Sequence, residues 1–226
     1  MGSLYWQLND CWPVVSWSLI DYYLRPKASY YFVKRAFSPV LVSLDKRDEK
    51  ISIYIVNDKP SELEGVLEFG VQDVQGNTLY STKLNIKIPP NASITALSEE
   101  MNKLPVKDYS ACYIYARLFI DDRPVSEDAL FLDEWRYIKL HKPKFEFTIE
   151  QVDAEGHKFQ IIVKSDKYAR AVRLKLKGVE AEYSDNYFDL FPNVPKSVTV
   201  KTRVPLAKEE IQHRLHVTSI IPRRNI

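Results

Sequence analysis

From about Pro39 onward, apolar and polar residues alternate in short runs, the period-two pattern of strands buried on one face. The runs are VLVSLD (40–45), KISIYIVND (50–58), GVLEFGVQDV (65–74), TLYSTKLNIKI (78–88), SITALS (93–98), SACYIYARLFID (110–121) and ALFLDEWRYIKL (129–140). Turn-forming residues separate them: Asp45 to Asp48, Asn57 to Ser61, Gly76-Asn77, Pro89-Pro90-Asn91 and Asp121-Asp122. Seven such runs predict an antiparallel β-sandwich over 39–140, and seven is the usual strand count of an immunoglobulin-like fold. Pro143 opens a second series: KFEFTIEQV (144–152), KFQIIVKS (158–165), AVRLKLKG (171–178), SVTVKT (197–202) and HRLHVTSI (213–220). These predict a second, smaller immunoglobulin-like sandwich over 141–226. Two helix-like patches, 99–103 and 208–211, are each long enough for a turn or so.

Residues 1–38 have another character. Leu4-Tyr5-Trp6-Gln7-Leu8 reads as a short buried strand, and Asn9-Asp10-Cys11-Trp12-Pro13 as the loop after it. KASYYFVKRAF (27–37) has no helix breaker, and Tyr30, Tyr31, Val33, Lys34 and Phe37 suit a helix with one aromatic face. Pro26 stands at its start, where a missing N–H is harmless. A single strand–loop–helix unit cannot bury its own faces. It must pack on the rest of the chain or be the remnant of a larger body.

Composition narrows the function classes. The chain has 226 residues, 45% of them hydrophobic, enough for a substantial core. Lys and Arg number 32 against 30 Asp and Glu, a net charge of +2, which argues against nucleic acid as a partner. A mean hydropathy of −0.30 and the lack of a long apolar run argue against a membrane-spanning helix and a membrane partner. The N-terminus shows no basic-then-apolar leader pattern. Two cysteines cannot build a disulfide framework, so the fold rests on its cores. Fourteen Tyr against six Gly favour sheets.

Little of the usual catalytic chemistry is present. His141, His157, His213 and His216 have no helical i, i+4 pairing, and His213 and His216 fall on opposite faces of a predicted strand. With Cys11 and Cys112 far apart, no metal site is expected, and no phosphate loop or other motif calls for a cofactor. Asn91-Ala92-Ser93 is a glycosylation sequon in a loop position. The dense feature is the stretch from Tyr5 to Pro13, continued by Ser16-Trp17-Ser18 and Asp21-Tyr22-Tyr23, which holds three of the four tryptophans. Indole rings stack on the C–H face of a sugar while Asn, Asp and Gln bond its hydroxyls. The same composition also suits a packing interface.

GSLYWQLNDCWPVVSWSLIDYYLRPKASYYFVKRAFSPVLVSL resembles the end of the catalytic barrel in β-mannosidases of glycoside hydrolase family two. Tyr183-Ser184-Asp185-Asn186-Tyr187-Phe188-Asp189-Leu190 and Leu215-His216-Val217-Thr218-Ser219-Ile220 resemble the last immunoglobulin-like domain of that family. The resemblance implies a mainly β chain: the last strand, loop and helix of a (β/α)8 barrel over 1–38, then two tandem immunoglobulin-like sandwiches. It implies that Trp6 is the aromatic platform under the sugar, with Asn9, Asp10 and Trp12 on the loop beside it as substrate-binding positions. Arg25 and Lys27 pin that loop, and Asp185-Asn186 form a turn that fixes two strands.

The two catalytic glutamates of the family lie earlier in its barrel. This sequence contains no Asn-Glu dipeptide and no credible carboxylate pair, so the chain alone is expected to be inactive. Met1 directly before Gly2 reads as a chain lacking the earlier barrel strands, which makes that missing barrel a partner. The other implied partners are a β-mannoside oligosaccharide and a second copy of the chain. The sequence does not fix the compartment; the resemblance implies a periplasmic, secreted or cytoplasmic protein if bacterial and a lysosomal one if animal. Residues 1–25, deprived of parallel strand neighbours, are expected to fold back on a sandwich or pair with another chain. Two other readings stand beside this one: a carbohydrate- or protein-binding tandem immunoglobulin-like module, and the same region of an exo-glucosaminidase or β-galactosidase.

Overall fold

The computed structural model describes residues 3–221. Its contacts group residues up to Ala36 with Pro143–Ile220, and residues 37–142 into a second unit. The first element is helix α1 (Ala28–Ala36).

Residues 37–142 fold as β1 (Val40–Arg47), β2 (Lys50–Asn57), β3 (Leu63–Asp73), β4 (Thr78–Ile88), β5 (Ala92–Glu100), β6 (Cys112–Ile120) and β7 (Arg123–Phe131). They form two antiparallel sheets, ordered β1-β2-β5 and β4-β3-β6-β7. The alternation seen in sequence sends Val42, Ile53 and Ile55 inward from one sheet and Leu67, Phe69, Val71, Ile114 and Leu118 inward from the other. Burying each such side chain contributes roughly 1.5–3 kcal/mol. The open edge of β1 is served by side chains rather than by a strand. The Val42 N–H donates to Ser126 Oγ at 2.9 Å and the Leu44 N–H to Asp128 Oδ2 at 2.8 Å, both on β7.

The second face of β6 is buried as well. The Tyr113 hydroxyl bonds Gln72, and the Tyr115 hydroxyl bonds Glu68 at 3.0 Å; Arg117 bonds the same Glu68 oxygen at 2.9 Å. Gly70 makes room for this: a Cβ there would lie 2.7 Å from the Tyr115 ring.

The seventh strand corrects the sequence expectation, which placed it at 129–140. Asp121 and Asp122 both take left-handed backbone, with φ of 49° and 57°, as a two-residue type I′ hairpin requires. The returning strand therefore starts at once, at Arg123. Pro124 is tolerated because β7 lies at a sheet edge. Residues 135–137 form a single 3₁₀ turn instead.

The other unit contains β8 (Phe145–Gln151), β9 (Lys158–Ser165), β10 (Ala169–Leu176), β11 (Ala181–Tyr183), β12 (Phe188–Leu190), β13 (Lys196–Thr202), helix α2 (Lys208–Arg214) and β14 (Leu215–Ile220). Its sheets run β12-β10-β14 and β11-β13-β9-β8. Phe159, Ile161, Val163, Val172, Leu174, Phe188, Val198 and Val200 fill the space between them. The three-residue strands β11 and β12 are too short to show periodicity in sequence. Helix α2 also corrects the expectation, since it extends through His213 and leaves only His216 on a strand. Glu210 reaches back to the Ala207 N–H at 3.0 Å, the acidic first turn and basic last turn suit the helix dipole, and Ile211 is fully buried.

The turn at 184–187 joins three elements. Asn186 is buried; its Oδ1 accepts the Leu174 N–H at 2.8 Å and its Nδ2 donates to the Leu174 carbonyl at 2.9 Å, which closes the turn on β10. Asp185 pairs with Lys196 of β13 at 3.2 Å and with Arg35 of α1. Arg35 also donates to the carbonyls of Asn186 and Tyr187, at 3.0 and 2.8 Å, and Lys34 donates to that of Ser184 at 2.8 Å. The N-terminal segment thus folds back on the C-terminal sandwich. Asn186→Ala strands two buried backbone groups at about 1–3 kcal/mol each. We expect it to lower the unfolding free energy by about 3 kcal/mol in a urea titration; a loss within error of zero would remove this turn from its central place.

Candidate functional site

Leu4 to Leu8 form no strand, contrary to the sequence expectation. A lone segment without strand neighbours on both sides has no ladder to join, and Leu4, Trp6 and Leu8 are exposed. The chain instead makes single bridges, Asn9 beside Ile20 in parallel sense and Ile20 against Pro26 in antiparallel sense. The Ile20 N–H donates to the Leu8 carbonyl at 3.0 Å, Asp10 N–H to the Ile20 carbonyl at 3.0 Å, and Lys27 N–H to the Leu19 carbonyl at 2.8 Å. The Trp6–Gln7 peptide is cis.

A polar knot holds this loop from inside. The Lys27 ammonium donates to Asp10 Oδ2 at 2.9 Å and to Ser18 Oγ at 2.6 Å. Ser16 donates to the other Asp10 oxygen, and Ser18 to the Ile20 carbonyl at 3.0 Å. The Asp10 side chain is only 1% exposed. Hydrogen bonds from Ser16 and Lys27 hold its carboxyl below the ordinary 3.8, against the upward pull of burial. A second carboxylate shapes the next turn: Asp21 accepts the N–H groups of Tyr23 and Arg25, each at 2.9 Å, and the Arg25 Nε at 2.8 Å. That turn lets Leu24 adopt a φ of 60°.

With the polar groups turned inward, the aromatic ones face outward. Trp6, Trp12 and Trp17 are 80%, 65% and 82% exposed. Asn9 is exposed too, with its Nδ2 on the Asp10 carbonyl at 3.2 Å. Of the four positions singled out in sequence, Trp6, Asn9 and Trp12 therefore lie on the surface, while Asp10 lies beneath it with both oxygens engaged. Lys27 does pin the loop; its serine partners carried no signal beyond the Ser16-Trp17-Ser18 alternation. An apolar surface of this kind normally meets a partner or ligand.

Elsewhere the chemistry is structural. His157 contacts the Thr202 carbonyl and His213 that of Glu209. Among the described residues no three His, Cys, Asp or Glu side chains gather as a metal site would require.

The depressed Asp10 carboxyl makes the loop acid-sensitive. Its contribution is complete above the unfolded value near 3.8 and is lost as pH falls through the lower folded value. Lys27→Met removes one source of that depression. In an acid titration followed by tryptophan fluorescence, the loop transition of this variant should move up in pH toward the ordinary carboxylate range. An unmoved transition would mean the knot does not hold the loop.

Residues 49–137 match the family described as "Mannosidase Ig/CBM-like domain", and residues 140–221 match the one described as "Ig-fold domain" of mannosidases. β-Mannosidase B of Aspergillus flavus is 26% identical over 88% of this chain, and that of Neosartorya fischeri 24% over 90%. The chain spans about a quarter of the length of these curated relatives, 25% and 26%. Among solved structures, the β-D-mannosidase of Dictyoglomus thermophilum superposes with a TM-score of 0.86 at 29% identity, covering 98% of this chain and 26% of that one. The exo-chitosanase of Amycolatopsis orientalis shares the fold, with a TM-score of 0.70 at 16% identity over 95% of this chain and 29% of that one. Two immunoglobulin-like mannosidase domains in this order, with β-mannosidase relatives matched over nearly the whole chain, make it similar to the C-terminal region of the β-mannosidase-like glycoside hydrolases of family two.

Proposed function

We propose that the chain serves as the C-terminal, accessory part of a retaining β-mannosidase, an enzyme that releases terminal β-D-mannose from oligosaccharides. The observation that carries this reading is the inversion of the N-terminal loop. Its polar side chains are spent inside on Asp10, Ser16, Ser18 and Lys27, and its tryptophans are held outward on a firm base. In this reading Trp6 is the platform under the sugar ring, and Asn9 and Trp12 stand at the rim. Asp10 acts through position, by fixing the loop that presents them. The C-terminal sandwich is the scaffold that keeps α1 and this loop in place, through Arg35 and the 184–187 turn.

The glutamates of retaining hydrolysis belong to barrel strands that precede these residues in the family. The most buried glutamate here, Glu68, is bound by Tyr115 and Arg117. The reading as an independent carbohydrate-binding sandwich has less support: of the aromatics that alternate along β6, Tyr113 and Tyr115 are 0% and 1% exposed and Phe119 is half-buried.

Two measurements test the proposal. The purified chain should show no turnover of p-nitrophenyl β-mannoside. Grafted in place of the corresponding quarter of the Dictyoglomus enzyme, it should restore hydrolysis, and Trp6→Ala in that chimera should cut kcat/KM by roughly 10–100-fold. Hydrolysis by the chain alone, or a chimera indifferent to Trp6→Ala, would sink the assignment.

A further inference from the structure

A groove of about 490 Å³ lies between the 23–26 turn, α1 and the outer side of the C-terminal sandwich. That volume suits a small-molecule ligand. Its floor is β10, where Arg173 and Lys175, two residues apart, point to the same exposed face. Their neighbours on β14 are Thr218 and His216, neither of which carries negative charge.

The groove contains two carboxylates, and both are placed elsewhere. Glu180 pairs with Arg203 at 3.3 Å, and Glu182 stands opposite Lys201 on the β11–β13 ladder. Arg25, on the opposite wall, is taken by Asp21. Arg173 and Lys175 have no carboxylate partner among the described residues, which leaves two uncompensated cations side by side in a recess.

Aromatic rings complete it. The Tyr187 ring lies 5.9 Å from the Arg173 guanidinium and 6.0 Å from the Tyr31 ring, and Tyr23 stands 59% exposed on the far wall with Arg25 against it at 4.7 Å. Cations alone would suit any anion. Cations beside partly open rings suit a ligand with both a charge and an apolar face.

We propose that this groove binds a saccharide bearing an anionic substituent. Arg173 and Lys175 hold the charged group, and the sugar ring lies between Tyr187 and Tyr23. The shared chemistry is a phosphate or carboxylate on a pyranose, and the two sources are separable by experiment.

The test is a titration of the isotope-labelled 226-residue chain with mannose 6-phosphate, glucuronate, neutral mannose and inorganic phosphate, followed by amide NMR. Mannose 6-phosphate, glucuronate or both should shift the amides of 173–176 and 201–203 saturably, more tightly than mannose or phosphate does, and more weakly as salt is raised. Arg173→Gln and Lys175→Gln should each weaken this binding roughly tenfold. Both side chains are solvent-facing, so an unchanged amide spectrum outside the groove will show that the variants are folded. No saturable shift up to high millimolar ligand overturns the proposal. Equal response to inorganic phosphate overturns the saccharide part, and equal response to mannose overturns the role of charge.

Discussion

Everything that the N-terminal segment does rests on the turn at 184–187. The Asn186 amide satisfies both backbone groups of Leu174, and Asp185 and the neighbouring carbonyls receive Arg35 and Lys34 from α1. A nine-residue helix is too short to be stable in water alone. Here it borrows its order from a sandwich whose own core is complete. Order then passes down the chain, from α1 to Lys27 at its foot, from Lys27 to Asp10, and from Asp10 to the loop that bears the tryptophans. The links made by Arg35 and Lys27 are charged hydrogen bonds partly screened from water, stronger than the exposed ion pairs scattered over the sheets.

The fold was legible wherever a strand was long enough to alternate. β2, β4 and β9 stand where the pattern puts them, to within a residue. It was less legible where the deciding feature was a backbone angle or a handful of residues. The hairpin at Asp121-Asp122 moved β7 forward because two aspartates accept left-handed backbone, which hydrophobic pattern does not record. β11 and β12 are shorter than any period. Helix α2 shows a single buried apolar residue, Ile211, and depends on end charges instead.

The candidate site was half legible, for a similar reason. Trp6, Asn9 and Trp12 drew attention by type and density. Asp10 shares their neighbourhood in sequence, yet in space it faces the other way and meets Lys27, seventeen residues on. The paired cations of the groove gave no sign at all, since Arg173 and Lys175 on a strand look like any solvated face. Their interest arises from the missing acidic neighbour on β14 and from Tyr187 arriving from another segment.

The side chains of Ser126 and Asp128 against β1 carry a consequence for how copies of the chain meet one another. An unpaired strand edge is a template on which a second molecule can continue the sheet. At Val42 and Leu44 the donors such growth needs are already consumed, and by groups that cannot propagate a ladder. Self-association along that border is blunted by chemistry rather than by bulk. Along that border, two side chains do the work that an edge charge or a covering loop does in other sheets.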